Sequence, residues 1–418
     1  MNKILEFFKS EESLKVLSWV VLAIVLIVVF WQAQLPQWQG HLQYDAVTFQ
    51  TRANYFLKHL SWAGMGYNEY LPGSLWFFVL IGRLANPESF RAFLQVLFLA
   101  NILLIIGHFL FFLRASHKYA PILFSLLVLA AGPILLFRFE LLVSLLVLVA
   151  WYFFGQKKYG WSAFVLGLGT SIKIYPAVLF PLLVFDLLRK KNWRSTIIAV
   201  LAFGAGIALP ILFFLLFGGD LAGFWTSVQV HSLKPVGVEG LWGNLVAFMN
   251  MAFGSSFFLT PGYGVYGFTP GSSILSIANL NQLPIIVTII LLAVIGWFYR
   301  KKGYNEVGLA FIVIFVFTLL GKVLNPQYLW WFLVFLPLFP LKWFSKIGWT
   351  TIYLMAFASL VLTQIIYPLN YDAFLEWFKV PIDPSQFLAL LSLRDLLLLI
   401  ILGFGVFALL RSRIAKES

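Results

Sequence analysis

Apolar residues run in long unbroken blocks along this chain, and polar residues gather in the gaps between them. The block 16–31 is interrupted only by Ser18 and shows no alternation of apolar and polar positions. That pattern predicts helices and excludes the strands of a membrane barrel. Twelve spanning helices are expected, at roughly 14–35, 91–113, 120–137, 140–154, 160–173, 175–188, 195–217, 282–299, 307–321, 328–341, 347–367 and 387–410. Several fall short of the roughly 20 residues that cross a bilayer. Those need flanking residues or local thinning. The first block has no small-residue cleavage site after it and reads as a retained anchor.

The run 71–85 opens on Pro72-Gly73 and is short, which suits a re-entrant or interfacial helix. Charge placement supports this. If 71–85 does not cross, 19 of the 29 basic residues fall in short cytoplasmic loops or tails. If it crosses, only 11 do. The positive-inside rule selects the first arrangement. Both termini are then cytoplasmic, and the whole formal charge of +13 lies on the inner side. A nucleic-acid partner is not needed to explain it.

The long loops, 36–90, 218–281 and 368–386, fall outside. Functional groups concentrate in such loops on a rigid scaffold. Phe49, Ala53, Phe56, Leu57 and Leu60 share a helical face, so an amphipathic helix over about 46–60 is expected on the outer leaflet. The stretch 254–272, rich in Gly and Pro, reads as an irregular loop. No internal repeat is visible, and residues 1–418 read as one transmembrane domain.

Composition narrows the class. The chain is 61% hydrophobic and 11% charged, whereas soluble domains carry about 25% charged residues. A soluble enzyme, a disordered chain and a coiled coil are excluded. There is no cysteine, so disulfides, thiolate zinc sites and Cys nucleophiles are excluded too. The five histidines (41, 59, 108, 117 and 231) lack metal-ligand spacing. No metal and no cofactor are expected.

The candidate chemistry lies beside helix ends on the outer side: Asp45, Glu69, Arg138, Glu140, Lys173, His231, Lys234, Glu239 and Lys322. Each has a plainer alternative. Asp45 is a good N-cap for a helix starting at Ala46. Arg138 and Glu140 flank Phe139 and could simply pair. Lys173 and Lys322 could snorkel to headgroups. His231 could be a polar loop residue. Arg394-Asp395 reads as a structural pair or an interface anchor, and His108 has no expected catalytic part. Trp38, Trp62, Tyr67, Tyr70, Trp225 and Trp242 read as interfacial-belt residues, some of which could stack on sugars. What favours function is convergence. Four cations and several carboxylates at one membrane face are costly unless they meet, and apolar-flanked lysines suit a lipid-linked phosphate.

Three motifs resemble a known family: Tyr70-Leu71-Pro72 opening a short helix after an Asp-bearing loop, Gly167-Leu168-Gly169-Thr170-Ser171-Ile172-Lys173-Ile174-Tyr175-Pro176, and Asn325-Pro326-Gln327-Tyr328-Leu329-Trp330-Trp331. Over about 40–330 the chain is similar to the GT-C superfamily of membrane glycosyltransferases. Within it, the chain resembles the polyprenyl-phosphate-mannose-dependent mannosyltransferases, glycosyltransferase family 87. It departs at Pro72-Gly73, where a proline pair is usual, and at Glu140, where Gln or Asp is frequent. The resemblance implies a GT-C-like all-α membrane fold and a polyprenyl-phosphate sugar donor, with mannose favoured. It also implies a lipid or glycan acceptor, inversion at the anomeric carbon, a plasma-membrane location and an extracytoplasmic site. The loop-one base falls on Asp45, and the Lys of Lys-x-Tyr-Pro on Lys173. Tyr70, Tyr175, Gln327 and Tyr328 join Glu69, Arg138, Glu140, His231, Lys234, Glu239 and Lys322 as expected substrate-binding residues, with Glu69 and His231 as alternative bases. The competing class is a transporter or flippase of polyprenyl-linked saccharides.

Overall fold

The computed structural model describes residues 11–66, 68–86, 88–114, 117–253, 257–262, 265–270, 277–302, 306–339, 346–379 and 385–417. These form an all-helical bundle with one small sheet. The first half comprises α1 (Glu11–Gln34), α2 (Pro36–His59), α3 (Pro72–Leu84), α4 (Phe90–Leu113), α5 (Ala120–Ala131), α6 (Ile134–Phe137), α7 (Glu140–Gly155), α8 (Tyr159–Ile172), α9 (Phe180–Arg189) and α10 (Trp193–Leu216). The second comprises α11 (Leu221–Leu233), α12 (Leu241–Phe253), α13 (Ile277–Lys302), α14 (Glu306–Leu319), α15 (Leu329–Leu333), α16 (Lys346–Gln364), α17 (Tyr371–Lys379) and α18 (Ser385–Glu417). Side-chain caps start several of them. Ser89 accepts from Ala92 N at 3.2 Å, and Asn192 accepts from Ser195 N at 3.1 Å. Such caps satisfy amides that a helix start leaves open.

Five described helical segments are long and apolar enough to cross a membrane: Glu11–Gln34, Phe90–Leu113, Trp193–Leu216, Gly348–Leu369 and Phe387–Leu410. Five more apolar helices are shorter. Some of the expected spans are broken for visible reasons. The span 120–137 stops at Gly132, whose φ of +59° ends α5 before Pro133 restarts the chain as α6. The span 175–188 begins as a 3₁₀ turn, Tyr175–Leu179, before α9. The expected helix 328–341 is a correction. It is a 3₁₀ turn (Pro326–Tyr328), then α15, then another 3₁₀ turn (Leu336–Leu338), and residues 340–341 lie outside the described residues. Trp330 to Leu336 are nearly all fully buried. Irregular backbone at membrane depth is tolerated where protein, not lipid, surrounds it.

The first long loop is more ordered than expected. Pro36 occupies the first turn of α2, where its fixed φ and missing N–H suit a helix start. The helix therefore starts ten residues before the expected position. Asp45 lies inside it and caps nothing, which removes the capping alternative. Trp38, Leu42, Ala46, Phe49, Ala53 and Phe56 form its buried face, while Leu60 is the exposed left-handed cap. Trp38 and Trp62 are core residues rather than belt residues. Helix α3 has 13 residues, about 20 Å, against a hydrocarbon core of roughly 30 Å. It packs on α2, with Phe49 and Phe78 stacked at 4.4 Å. Gly73 permits the approach of α8: a Cβ there would lie 2.5 Å from Ser171 Oγ.

The expected irregular loop 254–272 is also corrected. Its described parts are two antiparallel strands, β2 (Phe257–Gly262) and β3 (Val265–Pro270), and β3 also pairs with β1 (Val236–Gly237). Residues 254–256, 263–264 and 271–272 lie outside the described residues. Aromatic and β-branched residues flank the turn, and Pro261 sits on an edge strand, where its missing N–H costs no ladder bond. The expected inner cations Lys3, Lys9 and Lys342 lie outside the described residues.

Helices α8 and α10 meet at Gly167 and Gly206. A Cβ on Gly167 would collide with the Phe203 carbonyl oxygen, and one on Gly206 with the Phe164 carbonyl oxygen. Small residues let membrane helices approach this closely. Gly167→Ala is therefore expected to lower the melting temperature in detergent, at a cost of about 1–3 kcal/mol from overpacking. Gly204→Ala, where a Cβ meets nothing within 4 Å, should leave it unchanged. Equal melting temperatures for the two variants would contradict the close crossing.

Candidate active site

Helix breaks supply most of the site. Arg138 follows α6 in extended conformation, and Glu140 is the first residue of α7. Asn101, buried in α4, donates to the carbonyls of Leu136 and Arg138, each at 2.8 Å, and so pins this break. Lys173 is the extended residue that ends α8. Asn68 forms a local turn that presents Glu69 and Tyr70, with its Oδ1 accepting from Tyr70 N at 3.2 Å. His231 and Lys234 sit at the end of α11, and Lys322 follows α14.

These elements enclose a cavity of about 530 Å³. Asp45, Glu69, Tyr70, Arg138, Glu140, Lys173, Tyr175, His231, Lys234, Lys322, Gln327 and Tyr328 all line it. Of the expected set, only Glu239 lies elsewhere. It lines a second cavity of about 560 Å³. Asp45 and Arg138 border both cavities.

The charges are cross-paired. Arg138 Nη1 pairs with Asp45, and its Nη2 donates to the Tyr367 hydroxyl at 3.0 Å. Tyr367 in turn donates to the His41 carbonyl at 3.2 Å. Lys173 pairs with Glu140, and Lys234 lies 3.3 Å from Glu69. Arg138 and Glu140 thus do not pair with each other, and that alternative is corrected. An extended residue followed by a helix start points the two side chains apart. Lys173 is not snorkelling either. It lies 4.6, 5.2 and 5.4 Å from the ring centres of Phe139, Tyr328 and Trp331, a cation–π setting. Lys322 is buried and donates to the Ser232 carbonyl at 2.5 Å, so its snorkelling alternative falls as well. It has no carboxylate partner among the described residues.

Environment tunes the groups outside the membrane-spanning segments. Burial, with Lys234 nearby, lowers Lys322 to about 8. Burial and the charges of Lys234, Lys173 and Lys322 lower His231 to about 4, so its imidazole is neutral at pH 7. Burial raises Glu239 to about 7, opposed by a hydrogen bond from Tyr371 and by Arg394 and Arg138. Arg394 and Asp395 form the expected structural pair at 2.8 Å.

Sequence reasoning missed Asn101, Tyr367 and Tyr371. A lone Asn inside an apolar run was a usable signal, because a polar group at membrane depth needs a partner. The tyrosines carried none, since they resemble belt residues.

A family model described as Glycosyltransferase family 87 matches residues 67–326. That is more than half of the chain, and the chain belongs to this family. Membership decides for a glycosyltransferase over a transporter. Asp45, Gln327 and Tyr328 lie outside the matched stretch. No curated protein matches the chain.

The Glu140–Lys173 pair sets a stability test. Removing one partner of a buried ion pair costs about 3–5 kcal/mol, because the other charge stays buried alone. Lys173→Met and Glu140→Gln are each expected to lower the melting temperature in detergent, and the double variant to recover most of the loss. Additive losses would show that the two do not act as a pair.

Proposed function

We propose that this family 87 glycosyltransferase moves a hexose, mannose by family likeness, from a polyprenyl-phosphate donor to an acceptor hydroxyl. The observation that carries this reading is the composite character of the first cavity. Four cations and three carboxylates form its polar end, while Ile285, Ile289, Leu292 and Phe317 line an apolar slot leading from it. Ile285 and Ile289 are exposed on α13, so the slot opens on an apolar helix face. A phosphate on a long hydrocarbon chain matches both ends. Positive-inside charge bias supports an extracytoplasmic site in the plasma membrane, with both termini cytoplasmic.

In this reading Lys322, which has no carboxylate partner among the described residues, is the primary phosphate ligand, with Lys234 and Arg138 beside it. Charge-assisted hydrogen bonds of this kind are roughly twice as strong as neutral ones. Lys173 stays with Glu140 and shapes the floor with Tyr175, Tyr328 and Trp331. The Tyr175 and Trp331 rings stack at 4.3 Å, and those of Trp331 and Tyr328 at 3.9 Å. Glu69 and neutral His231 hydrogen-bond sugar hydroxyls.

Asp45 is the base. The acceptor oxygen bonds to the anomeric carbon from the face opposite the phosphate, while the carbon–oxygen bond to phosphate breaks. The electron pair leaves on the polyprenyl phosphate, and the hydroxyl proton passes to the Asp45 carboxylate. The configuration inverts. The side-chain cations meet the phosphate charge, so the proposal calls on no metal or cofactor.

Asp45→Asn is expected to lower transfer from a labelled polyprenyl-phosphate mannose by about 10²–10⁴, the worth of a general base. Crosslinking of a photoactivatable polyprenyl phosphate should persist. Near-normal turnover in that variant would remove Asp45 as the base.

The phosphate role of Lys322 gives a pH test. Below about 8 the ammonium is charged and available, and above it the charge is lost. Donor affinity is therefore expected to fall as pH rises through 8. Lys322→Met should bind donor weakly and flatten that dependence. An unchanged profile in Lys322→Met would assign the phosphate to other cations.

A further inference from the structure

We propose that the second cavity is a saccharide site that receives the acceptor, with Glu239 and Tyr266 as its specificity-determining residues. The inference rests on the reading of Asp45 as base. It deepens that reading by naming the chemical class of the acceptor.

Position is the first argument. Asp45 and Arg138, with Val323, Asn325 and Gln327, line this cavity and the first cavity alike. A hydroxyl bound in the second cavity therefore adjoins the same carboxylate as a donor bound in the first. The volume of about 560 Å³ falls within the range of small-molecule sites, roughly 300–1,000 Å³.

The walls are the second argument. Rings of His41, Tyr266, Tyr367 and Tyr371 surround the space. Tyr371 lies 4.7 Å from Tyr367, 5.1 Å from His41 and 6.3 Å from Tyr266, each near perpendicular. Aromatic bodies with polar tips suit a ligand that has C–H faces and a hydroxyl rim. The β2–β3 hairpin closes one side through Pro261, Gly262, Val265 and Tyr266. Among the described residues that line it, none is an exposed isoleucine or leucine, so a long alkyl acceptor is disfavoured.

The open polar atom is the third argument. Glu239 is 9% exposed, and Arg394 holds its backbone carbonyl. The Tyr371 hydroxyl bonds its carboxyl group, yet Oε2 has no partner among the described residues. An unsatisfied buried carboxyl oxygen is costly. A ligand hydroxyl aimed into this cavity would satisfy it.

The test uses the full-length protein in nanodiscs, without donor. Saturation-transfer NMR is recorded with methyl α-mannoside, methyl β-glucoside, 1-octanol and a Ser/Thr peptide. At least one methyl glycoside is expected to bind. Tyr266→Ala should weaken that binding by about tenfold or more and Glu239→Gln by about fivefold, while Tyr266→Phe, which keeps the ring, should stay within about twofold. No glycoside binding, binding of octanol or peptide instead, or unchanged affinity in both Tyr266→Ala and Glu239→Gln would overturn the proposal. Crosslinking of a photoactivatable polyprenyl phosphate to the wild-type preparation reports the donor cavity separately. Donor crosslinking without glycoside binding sinks the saccharide site alone. Glycoside binding without donor crosslinking sinks the donor reading and leaves this site standing.

Discussion

Everything in this molecule depends on pairing charges that hydrocarbon would not tolerate singly. An ionised side chain moved into a low-dielectric interior costs several kcal/mol even after relaxation. Three cations escape that cost by finding carboxylates: Arg138 with Asp45, Lys173 with Glu140, and Lys234 with Glu69. The partners come from segments far apart in sequence. Two of the pairs therefore tie α2 and the end of α8 to the α6–α7 break, and the third ties the segment before α3 to the end of α11. The paired charges are both the polar content of the cavity and a set of ties that hold its walls.

Side chains can meet there only if helices stop there. Gly132 and Pro133 end α5, a 3₁₀ turn at Tyr175 opens the 175–188 span, and the segment from Pro326 to Leu338 never forms a long helix. Each break frees backbone amides and carbonyls that lipid could not satisfy. Here they are met inside the protein, as when Asn101 bonds two carbonyls beside Arg138. Deeper in the bundle, His108 performs similar work. It lies 2.9 Å from Ser144 Oγ, to which Trp330 Nε1 also donates at 3.1 Å. That small network anchors the irregular 326–338 segment to α4 and α7.

Convergence of the site was legible in the sequence, because charges at the edges of apolar blocks must find one another. Partner choice was not. Arg138 and Glu140 are two residues apart, yet an extended residue followed by a helix start sends them to different carboxylate and ammonium partners. The register of α2 hid in Pro36, which starts the helix well before its amphipathic stripe becomes obvious. Apolar runs such as 328–341 look alike whether they become lipid-facing helix or buried irregular chain. Pro261, Gly262, Gly267 and Pro270, which helped make 254–272 look unstructured, instead lie in a hairpin. Tyr367 and Tyr371 contribute hydroxyls to the site, but nothing in composition separates them from belt tyrosines.

The geometry also bears on how the proposed reaction balances its charge. Asp45 becomes neutral when it takes the acceptor's proton, and the leaving phosphate gains negative charge at the same moment. Arg138 borders both cavities, so the cation that loses its carboxylate partner already faces the growing anion. The Tyr367 hydroxyl holds the guanidinium in place through this change, and the His41 carbonyl holds Tyr367. No side chain has to move a full charge across the site. Fixed groups of this kind stabilise developing charge without a reorganisation cost, usually the largest single contribution to enzymatic rate. In the proposed reaction, a base paired to a fixed arginine that lines both cavities would couple proton removal to leaving-group departure.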